Sequence, residues 1–401
     1  MKLFITQGST GAKSVVLDDM ILTKSMPTTA GSKMLDGYVS LFEAEVVTRL
    51  ENAGYTIGGK INTGEFGVDL LGETSFFSAC VDENGKLNGA AGELLKSKEA
   101  LAAVQLDVNG APQRVAALND LFYIKPTYAT VSRFGTIPAV CSAETVSVTA
   151  DSVETCRELL STIVGHDDKD GTSLPEEMCS KLKKDAPRNK VKKVAIAKGL
   201  VGAADEETAQ KIAQFRAFLE SQGIECVEID DAILMSAKAA FNVLMSAELC
   251  NNVSRYDGVK FGHRSKTYTN IDELYTNSRT EAFGELVKSL ILLGSDVLST
   301  DNYMSMYDKA QRVRRVIVEA FAAIFADFDC VLAPVCSKRS YTLEQVQSNK
   351  YIACEENLFT APTSISGLPV VVAGGVQLIG PAFSENSLLD LAESYEKEQK
   401  Q

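Results

Sequence analysis

The chain has 401 residues, 45% hydrophobic and 23% charged, a balance that suits one large globular unit or two ordinary ones. A formal net charge of −13 argues against broad electrostatic capture of nucleic acid, which needs a positive face. Nine cysteines without Cys-x-x-Cys spacing and only two histidines, His166 and His263, argue against a structural zinc site, a disulfide framework and a Ser-His-Asp triad.

No apolar run reaches the roughly 20 residues of a membrane span, and the N-terminus lacks the apolar region and cleavage site of a signal peptide. The chain therefore reads as cytoplasmic, with reduced thiols, no cofactor and no membrane. In chain order, Ser14 to Thr23 begins as a strand, Ser-Val-Val-Leu, that runs into Asp18-Asp19. The apolar spacing of Leu41, Phe42, Val46, Val47 and Leu50 predicts a helix from about Asp36, stopped by Gly54. Tyr55 to Asn62 reads as the next strand, followed by loops to about Gly92. A helix is then expected through Leu94, Leu95, Ala100, Leu101 and Val104.

Asp151-Ser-Val-Glu154 resembles a capping box for a helix reaching Val164. Asp167 to Lys193, polar and charged with Pro175 and Pro187, reads as a surface connection. Val194–Ala197 and Ile224–Ile229 flank a helical stretch, a β-α-β pattern that predicts parallel strands. Helices dominate from Met235 to Ala326, the longest from about Tyr303. Strands return at Cys330–Pro334 and Pro369–Ile379, and a charged helix closes the chain. The alternation predicts α/β architecture: one domain over 1–401, with a single mixed central sheet covered by helices on both faces.

Several segments, met in order, resemble the amidase-signature family, and most of all the A-subunit branch of the tRNA-dependent amidotransferases. Pro27-Thr-Thr-Ala-Gly-Ser-Lys-Met-Leu35 is similar to the run after that family's first catalytic motif. Gly59-Lys-Ile-Asn-Thr-Gly-Glu-Phe66 is similar to its "GKTN…EF", and Ile124-Lys-Pro-Thr-Tyr-Ala-Thr-Val-Ser-Arg-Phe-Gly135 to its "LKPTYGRVSRYG". Ser254–Arg264, Lys309–Arg314, Asp329–Pro334 and Thr360–Pro369 extend the likeness towards the C-terminus. The resemblance implies the amidase-signature fold, shortened at the N-terminus by a helical segment and again around Val372–Gln377.

Members of that family hydrolyse amides with a Ser-cisSer-Lys triad. A serine hydroxyl attacks poorly unless a base takes its proton, and a neutral lysine does so through the bridging serine. Carried over position by position, the triad is missing here. The lysine of "IKDN" falls on Asp18, within Leu17-Asp18-Asp19-Met20. The serines of "GGSSGGS" fall on Ala90 and Ala91, and the nucleophile of "DTGGSIR" falls on Ala111, followed by Pro112. A carboxylate is a weaker base than a neutral amine, and proline removes one N–H from the loop that would face an oxyanion.

For the substrate, the resemblance places Arg314 where an arginine would hold a glutamine carboxylate. It places Asn357 where an aspartate would hold the amino group. These assignments imply a non-catalytic relative with a binding or scaffold role and a partner similar to the B or C subunit of an amidotransferase. Two other readings stay open. One is an active, divergent glutaminase or amidase subunit, with Cys80, Cys141 or Ser142 as relocated nucleophile. The other is a small-molecule binder that uses the vacated, now acidic pocket and prefers amines to amides.

Overall fold

The computed structural model describes residues 2–9, 11 and 13–400. Its centre is a mixed sheet of eleven strands in the order β1-β3-β2-β4-β6-β5-β10-β11-β9-β7-β8. The strands are β1 Phe4–Gln7, β2 Ser14–Asp18, β3 Thr56–Ile61, β4 Ala102–Asp107, β5 Phe122–Lys125 and β6 Thr145–Ala150. They continue as β7 Lys193–Ala197, β8 Glu225–Ile229, β9 Cys330–Pro334, β10 Val370–Ala373 and β11 Val376–Ile379. Strand β2 runs parallel to both β3 and β4, and β7 parallel to both β8 and β9. The strands between these two groups pair antiparallel. The β7-helix-β8 unit is parallel, as its β-α-β pattern predicts, with a helix over Glu206–Ser221.

Strands β2, β4, β6, β9, β10 and β11 are buried along their whole length, because helices cover both faces of the sheet. In β6 the sequence Thr-Val-Ser-Val-Thr-Ala alternates as though one face were wet. Instead, Ser147 Oγ donates to the Gln105 carbonyl at 3.0 Å and Thr149 Oγ1 to Gln105 Oε1 at 3.0 Å. The hydroxyls are satisfied inside the sheet, which is what permits their burial. Strand β8 is the opposite case: it forms an edge, and its exposed Glu225 and Glu228 discourage further pairing.

Two predicted helices are corrected. The segment after Asp36 is irregular up to Ala44, with Leu41 93% exposed, and helix α1 covers only Glu45–Asn52. The N–H groups of Ala44 and Glu45 go to the carbonyls of Leu22 and Phe134, so tertiary hydrogen bonds take what a longer helix would use. The second expected helix splits. Helix α2 spans Ala90–Lys96, Lys98 turns the chain at φ 62°, and Leu101 to Val104 leads into and belongs to β4. The capping serine of the Val153–Ile163 helix is Ser152, one residue later than the box spacing suggested. The long helix near Tyr303 begins as a π-helical turn, Tyr303–Tyr307, and continues over Asp308–Asp327.

The stretch Ala232–Val253 is long and apolar enough to cross a membrane by length and composition, contrary to the reading of the sequence, but half of it is buried. It packs against the helices Glu285–Val297, Asp308–Asp327 and Ile352–Ser366 as the centre of a helical layer. The segment Val372–Gln377 is a tight antiparallel hairpin turned by Gly374 and Gly375, both at positive φ.

Candidate active site

Strand β2, the start of α2 and the start of helix α3 (Ala111–Leu118) converge on one cleft, because β2 and β4 are neighbours and both helices connect around β4. Asp18, Ala90, Ala91 and Ala111, dispersed over more than ninety positions, all line it. The cleft offers about 30 Å³, room for one or two water molecules. Binding pockets for organic ligands run to several hundred Å³.

The other polar side chains at the cleft are Asn62, Thr63, Asp69 and Gln105, none of which the sequence reading had given a role. Asn62, Thr63 and Gly64 lie in a segment that resembles the family, but only as scaffold; Asp69 carried no signal at all. Gly64 is required by close approach, since a Cβ there would fall within 2.2 Å of three Asp69 carboxylate atoms. Among the described lining residues Thr63 carries the one hydroxyl, and there is no serine, cysteine, lysine or histidine. The relocation candidates lie elsewhere. Cys80 is buried with its thiol pushed up to about 12 by desolvation, and Ser142 bonds Glu248. Cys141, also raised by burial, accepts a hydrogen bond from Asn252.

At the end of β2, Asp18 is buried and its Oδ1 accepts from the Met20 N–H at 3.0 Å. Desolvation pushes its carboxyl up to about 7, against the lowering effect of that bond and of Lys60. Its neighbour Asp19 is held by the N–H and hydroxyl of Thr29 and by the Gly31 N–H at 3.5 Å, and burial raises it to about 6. Lys60, on β3, is completely buried and donates to the Ile21 carbonyl and to Thr28 Oγ1 at 3.0 Å. Burial lowers it to about 8. It does not line the cleft.

On the α3 side the loop donors are spent. The Gly110 N–H goes to Asp107 Oδ1 at 2.6 Å and the Ala111 N–H to Asn109 Oδ1 at 3.2 Å, while Pro112 has none to give. Asp107 also accepts from Gln113 Nε2 at 3.0 Å and from the Tyr123 hydroxyl. Next to them Arg114 is wholly buried. Its Nη2 donates to the Asn109 carbonyl, to Asn357 Oδ1 at 2.9 Å and to Thr360 Oγ1, while Nε and Nη1 find no partner.

The two substrate residues inferred from the resemblance are not brought together in the cleft. Asn357 is completely buried, and its amide is engaged at both ends, by Arg114 and by Asn242 Oδ1 at 2.8 Å. Arg314 is half-buried and donates to the Ser142 carbonyl at 2.8 Å. Neither lines the small cavity.

A family model described as Amidase matches residues 14–83 and 112–389. The chain belongs to the amidase-signature family. The matched segments stop short of 84–111, the stretch that holds Ala90, Ala91 and Ala111. The chain is 33% identical over 398 residues to the A subunit of glutamyl-tRNA(Gln) amidotransferase from Streptococcus pneumoniae (strain 70585), covering 95% of this chain and 82% of that one. It is 32% identical over 412 residues to the protein of the same name from Lachnoclostridium phytofermentans, covering 96% and 82%. Among solved structures, it superposes on the A subunit of the Thermotoga maritima glutamyl-tRNA(Gln) amidotransferase with a TM-score of 0.81 at 23% identity, covering 99% and 87%. The K. lactis urea amidolyase matches with a TM-score of 0.80 at 22% identity, over 95% of this chain and 22% of that one. These amidase-signature structures share the mixed sheet seen here.

Two expectations follow from the geometry. Gly110 sits at φ 92°, and a Cβ there would meet Thr360 Cγ2 at 2.4 Å. Gly110→Ala should therefore lose about 2 to 4 kcal/mol in urea denaturation, and an unchanged midpoint would contradict this packing. The second concerns pH. A carboxyl raised on folding holds extra protons in the native state, so Asp18 costs stability as pH rises from about 4 to about 7. Asp18→Asn mimics the neutral form and keeps an oxygen for Met20. Its melting temperature should match the parent's at or below about pH 4 and exceed it increasingly up to about pH 8; a lower value at the higher pH would show a counter-charge at Asp18. The lowered Lys60 contributes only above its value of about 8, outside this window.

Proposed function

We propose that this chain is a non-hydrolysing amidase-signature protein whose role is to bind or to scaffold. One observation carries the reading. In the cleft where the triad positions meet, Asp18, Ala90, Ala91 and Ala111 supply neither a nucleophile nor a neutral amine base. Losing nucleophile and base together costs on the order of a million-fold in rate. The remaining catalytic resource, oxyanion stabilisation, is weakened because the N–H groups of Gly110 and Ala111 are already bonded within their own loop.

The substrate side supports the same reading. Asn357 accepts from the chain's own Arg114, so a guanidinium stands where a ligand's ammonium would be received. A cavity of about 30 Å³ admits an ammonium-sized group beside Asp18 but not an intact glutamine. That limits the reading of the vacated pocket as an amine site to the smallest cations.

The likeness to proteins named as amidotransferase subunits supports a role beside a partner protein similar to a B or C subunit. It also sustains a second reading, a divergent amidotransferase subunit that still turns over, for which Thr63 is the one hydroxyl among the described lining residues of the cleft. The two readings separate in a coupled assay of ammonium release from glutamine, asparagine and short aliphatic amides. No release above a protein-free blank is expected from the pure chain. Turnover that vanishes in Thr63→Val would replace the proposal with an active threonine site.

A further inference from the structure

A cavity much larger than the vestigial cleft lies elsewhere on the molecule. This groove, of about 720 Å³, runs between the turn at Lys33–Tyr38 and the loop Arg255–His263. Met34, Leu35 and Ile137 make an apolar floor, all buried, and Tyr256 stands behind them stacked on Phe66 at 6.0 Å. The two loops are clamped together, the His263 N–H donating to the Met34 carbonyl at 2.8 Å. The groove is therefore a formed feature of the fold. Its walls leave Phe261 59% and Tyr38 41% exposed, and the chain beyond Tyr38 adds Val39, Leu41 and Phe42, all exposed. Apolar side chains concentrated in this way mark a contact surface.

Charge picks the occupant. In a chain of net −13, Lys33 and Arg255 line the groove, and Lys260, Arg264 and Lys266 follow in the same loop. Among the described residues none of these five forms an ion pair, whereas the basic runs Lys181–Lys184, Lys190–Lys193 and Lys309–Arg315 each have at least one paired member, Lys184, Lys193, Arg312 and Arg315. Arg255 donates its Nε to the Asn252 carbonyl, which leaves both terminal nitrogens unengaged. The opposing charges are few. Asp36 lies on the wall, Asp257 is used by the N–H groups of Val259 and Lys260, and Glu281 is bonded to His263 and Ser265.

We infer that this groove docks an acidic segment of a partner protein, with aliphatic or aromatic anchors that enter the Met34–Ile137 floor and carboxylates that meet Arg255 and Lys33. Apolar anchors inside a rim of opposite charge give both affinity and orientation. A nucleic acid fits less well, because an aliphatic floor offers bases little to stack on and the acidic remainder of the surface repels a long polyanion. The inference rests on the binding role proposed above but not on the inertness of the cleft. Amide turnover reads the cleft alone, and the experiment below reads the groove alone.

The full chain, immobilised, is panned against a phage-displayed library of random dodecapeptides, with counter-selection on Arg255→Glu/Phe261→Ala. Enriched sequences should combine Asp or Glu with Leu, Ile or Phe. Synthetic copies should lose about tenfold in affinity on Arg255→Glu, on Phe261→Ala and on Tyr38→Ala, and weaken as salt rises. These side chains are exposed, and unchanged melting temperatures certify the fold of each variant. The proposal is overturned if nothing is enriched over the counter-selected variant, if enriched sequences lack acidic residues, or if the variants bind as well as the parent. Tighter binding of a single-stranded RNA oligonucleotide would assign the groove to nucleic acid. A dimer in sedimentation that the same variants dissociate would assign it to a second copy of this chain.

Discussion

Where β2 ends, inside an eleven-stranded sheet, the carboxylates of Asp18 and Asp19 and the ammonium of Lys60 are all withdrawn from water. Taking charges out of water is among the largest penalties in folding, and the surrounding structure is arranged around it. Backbone N–H groups of Met20, Thr29 and Gly31 turn towards the carboxylates, and the Ile21 carbonyl and Thr28 hydroxyl receive the ammonium. The bends this requires carry the chain from the end of β2 into the turn at Lys33–Tyr38. The same charged knot therefore contributes Asp18 to the cleft and precedes, in the chain, the turn that lines the groove.

On the far side of the cleft a tight loop opens helix α3. Gly110 takes a left-handed conformation and delivers Ala111 to the cavity at the start of α3. The loop's hydrogen-bond donors close on Asp107 and Asn109, and the Ile352–Ser366 helix packs directly on the turn through Thr360, which donates to the Asn109 carbonyl at 2.7 Å. Arg114, buried with two nitrogens unpartnered, is a costly group to retain. Its links to Asn109, Asn357 and Thr360 tie α3 to that helix.

Cleft and groove thus divide the surface by chemistry. The first is narrow and acidic, built from the strand ends and helix starts that define the family. The second is wide, apolar at its base and cationic at its rim, built from loops. Strand ends and helix starts hold the cleft in place, while loops carry the exposed aromatic residues Tyr38 and Phe261.

Much of this was legible in the residues. Runs such as Val15-Val-Leu17 and Val370–Ala373 declared buried strands, because unbroken apolar runs of that length suit a sheet covered on both faces. Strands β5 and β6 were not marked, since the Ser and Thr of β6 are buried only by virtue of Gln105 on the adjacent strand. The helix expected from Asp36 failed because Leu22 and Phe134, remote in sequence, claim the N–H groups at its start. The sequence by itself determined the family and the order of most elements. The tertiary structure alone decided that Asp18 meets Ala111 in one small cavity, that Arg114 reaches Asn357, and that Lys33 and Arg255 line an apolar groove. Each of these depends on distances between residues far apart in the chain, and periodicity carries no information about such distances.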